Sequence, residues 1–462
     1  MSFTPQRAAR RFGGGLSPHH QPPQSVEAML TTLAAPDEMA ERYPITAYST
    51  FQDMDVESLR LRGIYKKNLN TDVGEAARAG LRETLLDARN LMEQDRRAQA
   101  ARFVDAPDAM REELTIFWTD HFTTVRTGRI DQYTQQSYAE QAIRPHVAGK
   151  FSDMLLAAAK HPRMILFLNQ NVSIGENSPL GRNSQKKRGI NENLAREILE
   201  LHTLGANGGY TQTDVRNFAK LLTGMAIDRQ RRFEFNARRS EPGQHEVLGK
   251  TYGRRRPGLE EIDEALNDLA RHPDTARHLA WKLAMHYVSE TPDDGMIEQM
   301  AQAYLAADTA LLPMYEAMLR HPAAWDFSGL GNVKWPVQYV YSAARALGIR
   351  GADIMALPEG RFRGAFDGRV ARMGQRLSRA NGPDGWEEAD THWITPQAVA
   401  HRISWAMVEP SRLMDILPDP RDLVDTAIGP DAPESLRFVA KAASNQVEGV
   451  GLVLASPSFQ RR

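Results

Sequence analysis

Residues 191–226 read NENLAREILELHTLGANGGYTQTDVRNFAKLLTGMA, a helix, a glycine-rich turn and a second helix. At about 100° per residue, Leu194, Ile198, Leu201 and Leu204 share one arc of the first helix. Glu197 falls inside that arc, with Asn193 and Glu200 on one border and His202 on the other. A carboxylate on a core-facing stripe must be paired, protonated or bound to a cation, because an unpaired buried charge is prohibitive. Gly205 ends this helix, and Asn207-Gly208-Gly209 supplies residues that tolerate positive φ. Thr211 and Asp214 form a near capping box for the second helix, whose core face is Val215, Phe218, Ala219 and Leu222. Capping is the favoured role of Asp214, although its place on the edge of that face also brings it toward Glu200 and His202.

The same periodicity runs along most of the chain. It predicts a mainly α fold, a multi-helix globular body with one small β-hairpin. The hairpin is placed in 232–252, where Phe233-Glu234-Phe235 alternates, Glu241-Pro242-Gly243 signals a turn and Val247-Leu248 resumes an apolar run. Residues 1–24 read as a polar, Gly/Pro-rich arm draped over the body. Residues 25–462 form that body, as one unit or as two lobes divided near 230–257. Residues 169–190, with Lys186-Lys187-Arg188, read as a mobile loop. The charged run 90–102, NLMEQDRRAQAAR, reads as a solvated helix face. Lys160-His161-Pro162, Arg271-His272-Pro273 and Arg320-His321-Pro322 each follow one helical run and precede another. They read as helix junctions, with basic residues at one helix end and proline opening the next.

Composition narrows the chemistry. The 462 residues contain no cysteine, which excludes disulfides, thiolate metal sites and cysteine nucleophiles. A net charge of -1 gives no global argument for nucleic acid. No run reaches the roughly 18 apolar residues of a spanning helix. Arg10-Arg11-Phe12 lacks the hydrophobic segment of an export signal, so the chain is expected to be cytoplasmic as synthesised, or to leave only with a partner. Phosphate-loop, H-E-x-x-H and G-x-S-x-G motifs are absent.

The candidate site residues are few. In 107–127 the apolar arc Leu114, Phe117, Trp118, Phe122 and Val125 has His121 at its middle, either a neutral core histidine or a ligand or general base. Arg144, before the break at Pro145, is a candidate partner for a buried carboxylate. His278, Lys282 and His286 align at i, i+4, i+8; two histidines flanking a lysine repel metal cations, so they read as a lobe flank or surface. Asn381-Gly382-Pro383-Asp384-Gly385-Trp386 reads as a turn carrying an aromatic over a groove. Two enzymatic or structural roles are open to Glu197. With His121 it makes a catalytic pair, metal-assisted or not, with Asn193, Glu200, His202, Asp214 and Arg144 as binding residues and the metal and cofactor undefined. Alternatively it is a buried strut paired with Arg144 or Arg277.

Several segments together resemble the bacterial family catalogued as domain of unknown function eighteen-hundred. They include Arg11-Phe12-Gly13, Phe117-Trp118-Thr119-Asp120-His121-Phe122, Ile143-Arg144-Pro145-His146, the stretch from Asn191 to Tyr210, Leu222-Thr223-Gly224, His272-Pro273-Asp274-Thr275-Ala276 and Ala455-Ser456-Pro457-Ser458-Phe459. Met225 and Ser240 depart from the family pattern, which has Trp and His there. The resemblance implies no established activity. It does imply a partner: members look like companions of sulfatase-type and phosphatase-type proteins, so a binding or maturation factor acting with such a protein is the first expectation.

Overall fold

The computed structural model describes residues 2–125, 128–183, 189–327, 331–377 and 379–462. The basic triplet Lys186-Lys187-Arg188 lies outside them. Helices dominate. Tyr48–Lys67 (α1) lies against the long Asp72–Asp105 (α2), followed by Met110–His121 (α3), Phe151–Lys160 (α4), Asn193–Glu197 (α5), Gln212–Leu221 (α6), Pro273–Tyr287 (α7) and Pro336–Ala346 (α8). No described helix is long and apolar enough to cross a membrane.

Four helix caps show how sequence sets these boundaries. Thr211 and Asp214 close the expected capping box at α6. The three His-Pro junctions also fall between helices, but the histidines work forward rather than backward. Nδ1 of His161, His272 and His321 accepts the backbone N–H of Arg163, Asp274 and Ala323 at 3.2, 3.2 and 3.3 Å. Each histidine is therefore an N-cap acceptor for the helix that its proline opens.

Three expectations are corrected. The charged run in α2 is not a solvated face, because the helix is covered on more than one side. Glu93, Asp95, Arg96 and Arg102 are buried. Arg96 pairs Asp367 at 2.6 Å, Arg97 pairs Glu93 at 2.8 Å, and Arg102 pairs Glu140 at 2.7 Å. There are also two hairpins rather than one. Met225–Ile227 (β1) pairs antiparallel with Phe233–Phe235 (β2), and His245–Val247 (β3) with Lys250–Tyr252 (β4). The Glu241-Pro242-Gly243 turn separates them instead of closing one. The second turn is tight: Leu248 and Gly249 both take positive φ, the combination a two-residue hairpin turn requires. Finally, the first-helix arc of 191–204 does not run at 100° per residue, as described next.

The core falls into two large clusters. One gathers side chains between Ala8 and Trp325; the other gathers Phe103 and Val104 of α2 with residues from Val337 to Phe459. A small cluster of Val333, Trp335 and Trp393, with Ile116 and Trp386 packed on it, accompanies them. The C-terminal end of α3 meets this tryptophan cluster, and there the chain buries an unusual number of ionisable groups.

Candidate functional site

Helix α5 continues as a π-turn over Ile198–Thr203. Its signature is the wide loop: Leu204 N–H donates to the Leu199 carbonyl at 3.0 Å, and Thr203 Oγ1 donates to Ile198 at 2.6 Å. The extra residue per turn rotates everything after Glu197. Leu199, His202 and Thr203 are buried, while Leu201 and Glu197 are left half-buried. Two histidines satisfy carbonyls at the end of this turn. His121 Nε2 donates to the carbonyl of His202, and His278 Nε2 to that of Leu201, both at 3.2 Å. The His121 ring lies 6.0 Å from that of His202 and 6.4 Å from that of His278. Burial holds all three neutral, with the Lys282 charge adding to it. His202 is pushed down to about 3, His278 to about 4, and His121 well below its usual range.

Lys282 is the centre of the field. It stands one turn from both His278 and His286 on α7, and its charge acts on Asp120 and Glu388 as well as on the histidines. Asp120, in the last turn of α3, is buried. Both of its carboxylate oxygens accept the Trp386 backbone N–H, each at 3.1 Å. Burial raises Asp120 to about 8, with Lys282 opposing the shift and Glu388 adding to it. Burial likewise raises Glu388 to about 7. Glu388 is oriented by His286, whose Nδ1 lies 2.8 and 3.0 Å from the two carboxylate oxygens. His286 is fully buried and neutral, so its Nδ1–H donates to Glu388 and its Nε2 faces the Gln338 amide at 3.3 Å. Gln338 in turn donates to Glu113 at 2.5 Å and accepts from Arg462 at 2.7 Å. Gly385 makes the approach to Asp120 possible. It sits at φ +84°, and a Cβ there would lie 2.9 Å or closer to all three carboxyl atoms.

The pattern of the family described as "protein of unknown function" (DUF1800) matches residues 7–461. The chain belongs to the DUF1800 family. No curated protein and no solved structure matches it. In this DUF1800 protein the Trp118-Thr119-Asp120-His121 run holds the two adjacent residues, Asp120 and His121, from which the polar centre is built.

The structure places the sequence candidates as follows. His121 and His202 stand together at the centre. Glu197 is half-buried at its margin, raised to about 7 by burial and then by Glu200, with the Asp384 charge also acting on it. Glu200 hydrogen-bonds the Tyr210 phenol. Asn193 is exposed at the start of α5. Asp214 caps α6 and also accepts the Leu248 N–H at 2.8 Å. Arg144 commits its guanidinium to Glu112 and Asp37, each at 2.6 Å, and Arg277 pairs with Glu298. The strut between Glu197 and either arginine therefore does not form. Among the described residues, no three His, Asp or Glu side chains converge where they could hold one metal ion. His278, Lys282 and His286 are not simply surface: His286 is fully buried, and the other two are half-buried. Sequence reading missed Asp120, Lys282 and Glu388. One signal was available for Asp120, since a carboxylate in the last turn of a helix opposes the macrodipole and such local conflicts mark sites.

Proposed function

We propose that this protein is an acid–base enzyme, with Asp120 as the proton donor and Glu388 as a second proton-holding group. One observation carries the reading: a buried carboxyl raised to about 8 stands on the wall of a solvent-open cleft formed with Thr119, Trp335 and Trp386. A general acid works best with a pKa near the operating pH, and burial is the usual way to bring a carboxyl there. Asp120 delivers its proton to an oxygen of a substrate in the cleft. Lys282 stabilises the carboxylate left behind, and the two-point bond from Trp386 N–H fixes its direction. The His286–Gln338–Glu113 chain holds Glu388 in one orientation, as a carboxylate–histidine pair does elsewhere. His121 and His278 keep the π-turn open, and Glu197 stands as a further carboxyl on the margin.

The test is turnover by the full-length protein of chromogenic glycosides, esters and phosphoesters across pH 5–10. The expected result is hydrolysis of one class with an alkaline limb near pH 8, abolished in Asp120→Asn and reduced in Glu388→Gln. Turnover that persists in Asp120→Asn, or no turnover of any class, overturns the reading.

A second reading is a binding or maturation factor for a protein partner of the sulfatase or phosphatase type. Its support is the pair of apolar side chains Ile416 and Phe438, 82% and 71% exposed near the C-terminal helices. Recovery of no protein partner on native pull-down, with Phe438→Ser and wild type alike, overturns it.

A further inference from the structure

A second cleft lies where the helix Pro5–Arg11 meets segment 457–462, beside Phe327. It is open to solvent, offers about 350 Å³ to water and shares no lining residue with the cleft at Asp120. A single water needs about 10–15 Å³, so a ligand of several atoms fits. Five arginines, Arg7, Arg10, Arg11, Arg461 and Arg462, line it against one carboxylate, Asp431.

Each guanidinium is partly committed to the fold. Arg7 pairs with Asp431 at 2.9 Å, and Arg10 stands 3.8 Å from the same carboxylate. Arg10 donates to the Ser458 carbonyl at 3.2 Å, and Arg461 to Asp390 at 2.7 Å. Arg11 and Arg462 direct N–H groups to neutral acceptors. These are the Ala324 and Asp326 carbonyls, at 2.6 and 3.0 Å, and the Gln338 amide oxygen at 2.7 Å. Other donors stay open. Arg10 Nε and Nη1, Arg461 Nε and Nη2 and Arg462 Nη1 make no hydrogen bond among the described residues, and none of them is closed off from solvent. A structural clamp uses the first set of bonds and has no need of the second set of donors.

Like charges held this close repel one another. Arg11 is pushed down to about 10 by burial and then by the charges of Arg10 and Arg462. Asp431 and Asp390 oppose the five charges by pairing, and Asp326 acts on Arg11, which leaves an excess of two. Glu113 and Lys334, buried near Arg462, offset each other. The Phe327 ring gathers Arg7, Arg10 and Arg11 at 5.2, 5.6 and 4.0 Å from its centroid. They are held in place before a ligand arrives, which lowers the ordering cost of binding. A neutral ligand leaves the cationic excess unanswered. A guanidinium fork matches two oxygens of a carboxylate or phosphate, and three such forks from two segments ask for more oxygens than a carboxylate has. From the convergence of Arg10, Arg461 and Arg462 on this cleft, we infer that it binds a tetrahedral oxyanion, phosphate or sulfate, free or on a small organic ester. The site stands independently of the acid–base reading.

The experiment is calorimetric titration of the full-length protein in about 150 mM sodium chloride, where non-specific attraction is screened. The probes are inorganic phosphate, inorganic sulfate and glycerol 3-phosphate, with acetate and glycerol as controls. Saturable one-to-one binding of at least one of the three oxyanions is expected, and the tightest of them identifies the source. Arg10→Gln and Arg461→Gln should each weaken it by about tenfold or more, the loss of one charge-assisted hydrogen bond. Arg10→Lys keeps the charge without the fork and should recover part of that loss. Arg421→Gln loses only an exposed pair with Asp419 and should bind as wild type does. The two Arg10 variants carry the test if Arg461→Gln does not fold. Failure of all three oxyanions to bind, equal binding of acetate, or affinity unchanged in the Arg10 variants overturns the inference.

Discussion

Asp120 and Trp386 lie 266 residues apart in the chain, and the Trp386 backbone N–H is shared by both Asp120 carboxylate oxygens at 3.1 Å. The bond ties the end of α3 to the irregular segment after Ala380 at the point where burial raises the carboxyl to about 8. Unfolding returns Asp120 to its ordinary value near 3.8, so the unfolded chain releases this proton at lower pH than the native one. The sign follows: the contribution to stability is complete below about pH 4 and is lost as pH rises toward 8. A fully buried group of this kind costs about 1.4 kcal/mol for each pH unit crossed in that window. Asp120→Asn removes the titration. Denaturant melts at pH 5, 7 and 9 should show the variant gaining on wild type as pH rises. A difference that does not change with pH refutes the assignment.

Gly385 is the second half of that contact. Its φ of +84° and its closeness to the Asp120 oxygens leave no room for a methyl group. Gly385→Ala should lose about 1–3 kcal/mol from backbone strain alone. It should also displace the Trp386 N–H, so the Asp120 titration should move upward, having lost a bond that favours its ionised form. Thermal melts together with carboxyl infrared titration check both parts.

The histidine group acts in the opposite pH range. His202 and His278, pushed down to about 3 and about 4, are neutral when folded and take up protons more readily when unfolded. Their contribution is present above pH 6.5 and is lost as pH falls below it. His202→Phe keeps a ring beside Phe122, whose centroid lies 5.0 Å away. It should cost less than about 1.5 kcal/mol at pH 7 and unfold at a lower pH than wild type. An acid midpoint equal to that of wild type would refute the role.

These predictions turn on groups that the sequence only partly exposes. The mainly helical fold follows from apolar periodicity, and the Thr211–Asp214 cap and the His-Pro junctions are local chemistry, so each was legible. The π-turn was not. One added residue after Glu197 rotates His202 inward and Leu201 outward, and the spacing of Leu194, Ile198, Leu201 and Leu204 conceals it because both frames place leucines near the core. The charges of α2 and the 278–282–286 stripe have the look of exposed faces. Their partners, Asp367, Glu140, Asp120 and Glu388, come from distant segments that no local pattern ranks.

Glu197 and Arg144 now separate cleanly. Glu197 is half-buried, and Glu200 adds to the burial that raises it to about 7. Glu197→Gln relieves that repulsion, and with solvent screening its effect should stay within about 1 kcal/mol, most favourable above pH 7. Arg144→Ala leaves Glu112 and Asp37 without their cation and should cost about 3–5 kcal/mol. Equal losses from the two variants would restore the pairing that the geometry lacks.

Lys282 offers the sharpest test, because its charge pushes its neighbours in one direction while burial pushes them in two. For Asp120 and Glu388 the ammonium favours the ionised form and opposes burial. For His121, His202 and His278 it disfavours protonation and adds to burial. Lys282→Met keeps the length of the side chain and removes the charge. Every one of these groups should then titrate at higher pH: Asp120 above 8, Glu388 above 7, and the histidines closer to their ordinary range. The alkaline limb of turnover should move upward with Asp120, and the acid midpoint of unfolding downward, because histidines whose folded pKa lies nearer its ordinary value lose less stability as pH falls. Carbon NMR of labelled Asp, Glu and His reads each shift separately. A lysine that merely fills space would leave all of them where they are, and carboxyls and histidines moving in opposite directions would place the charge elsewhere.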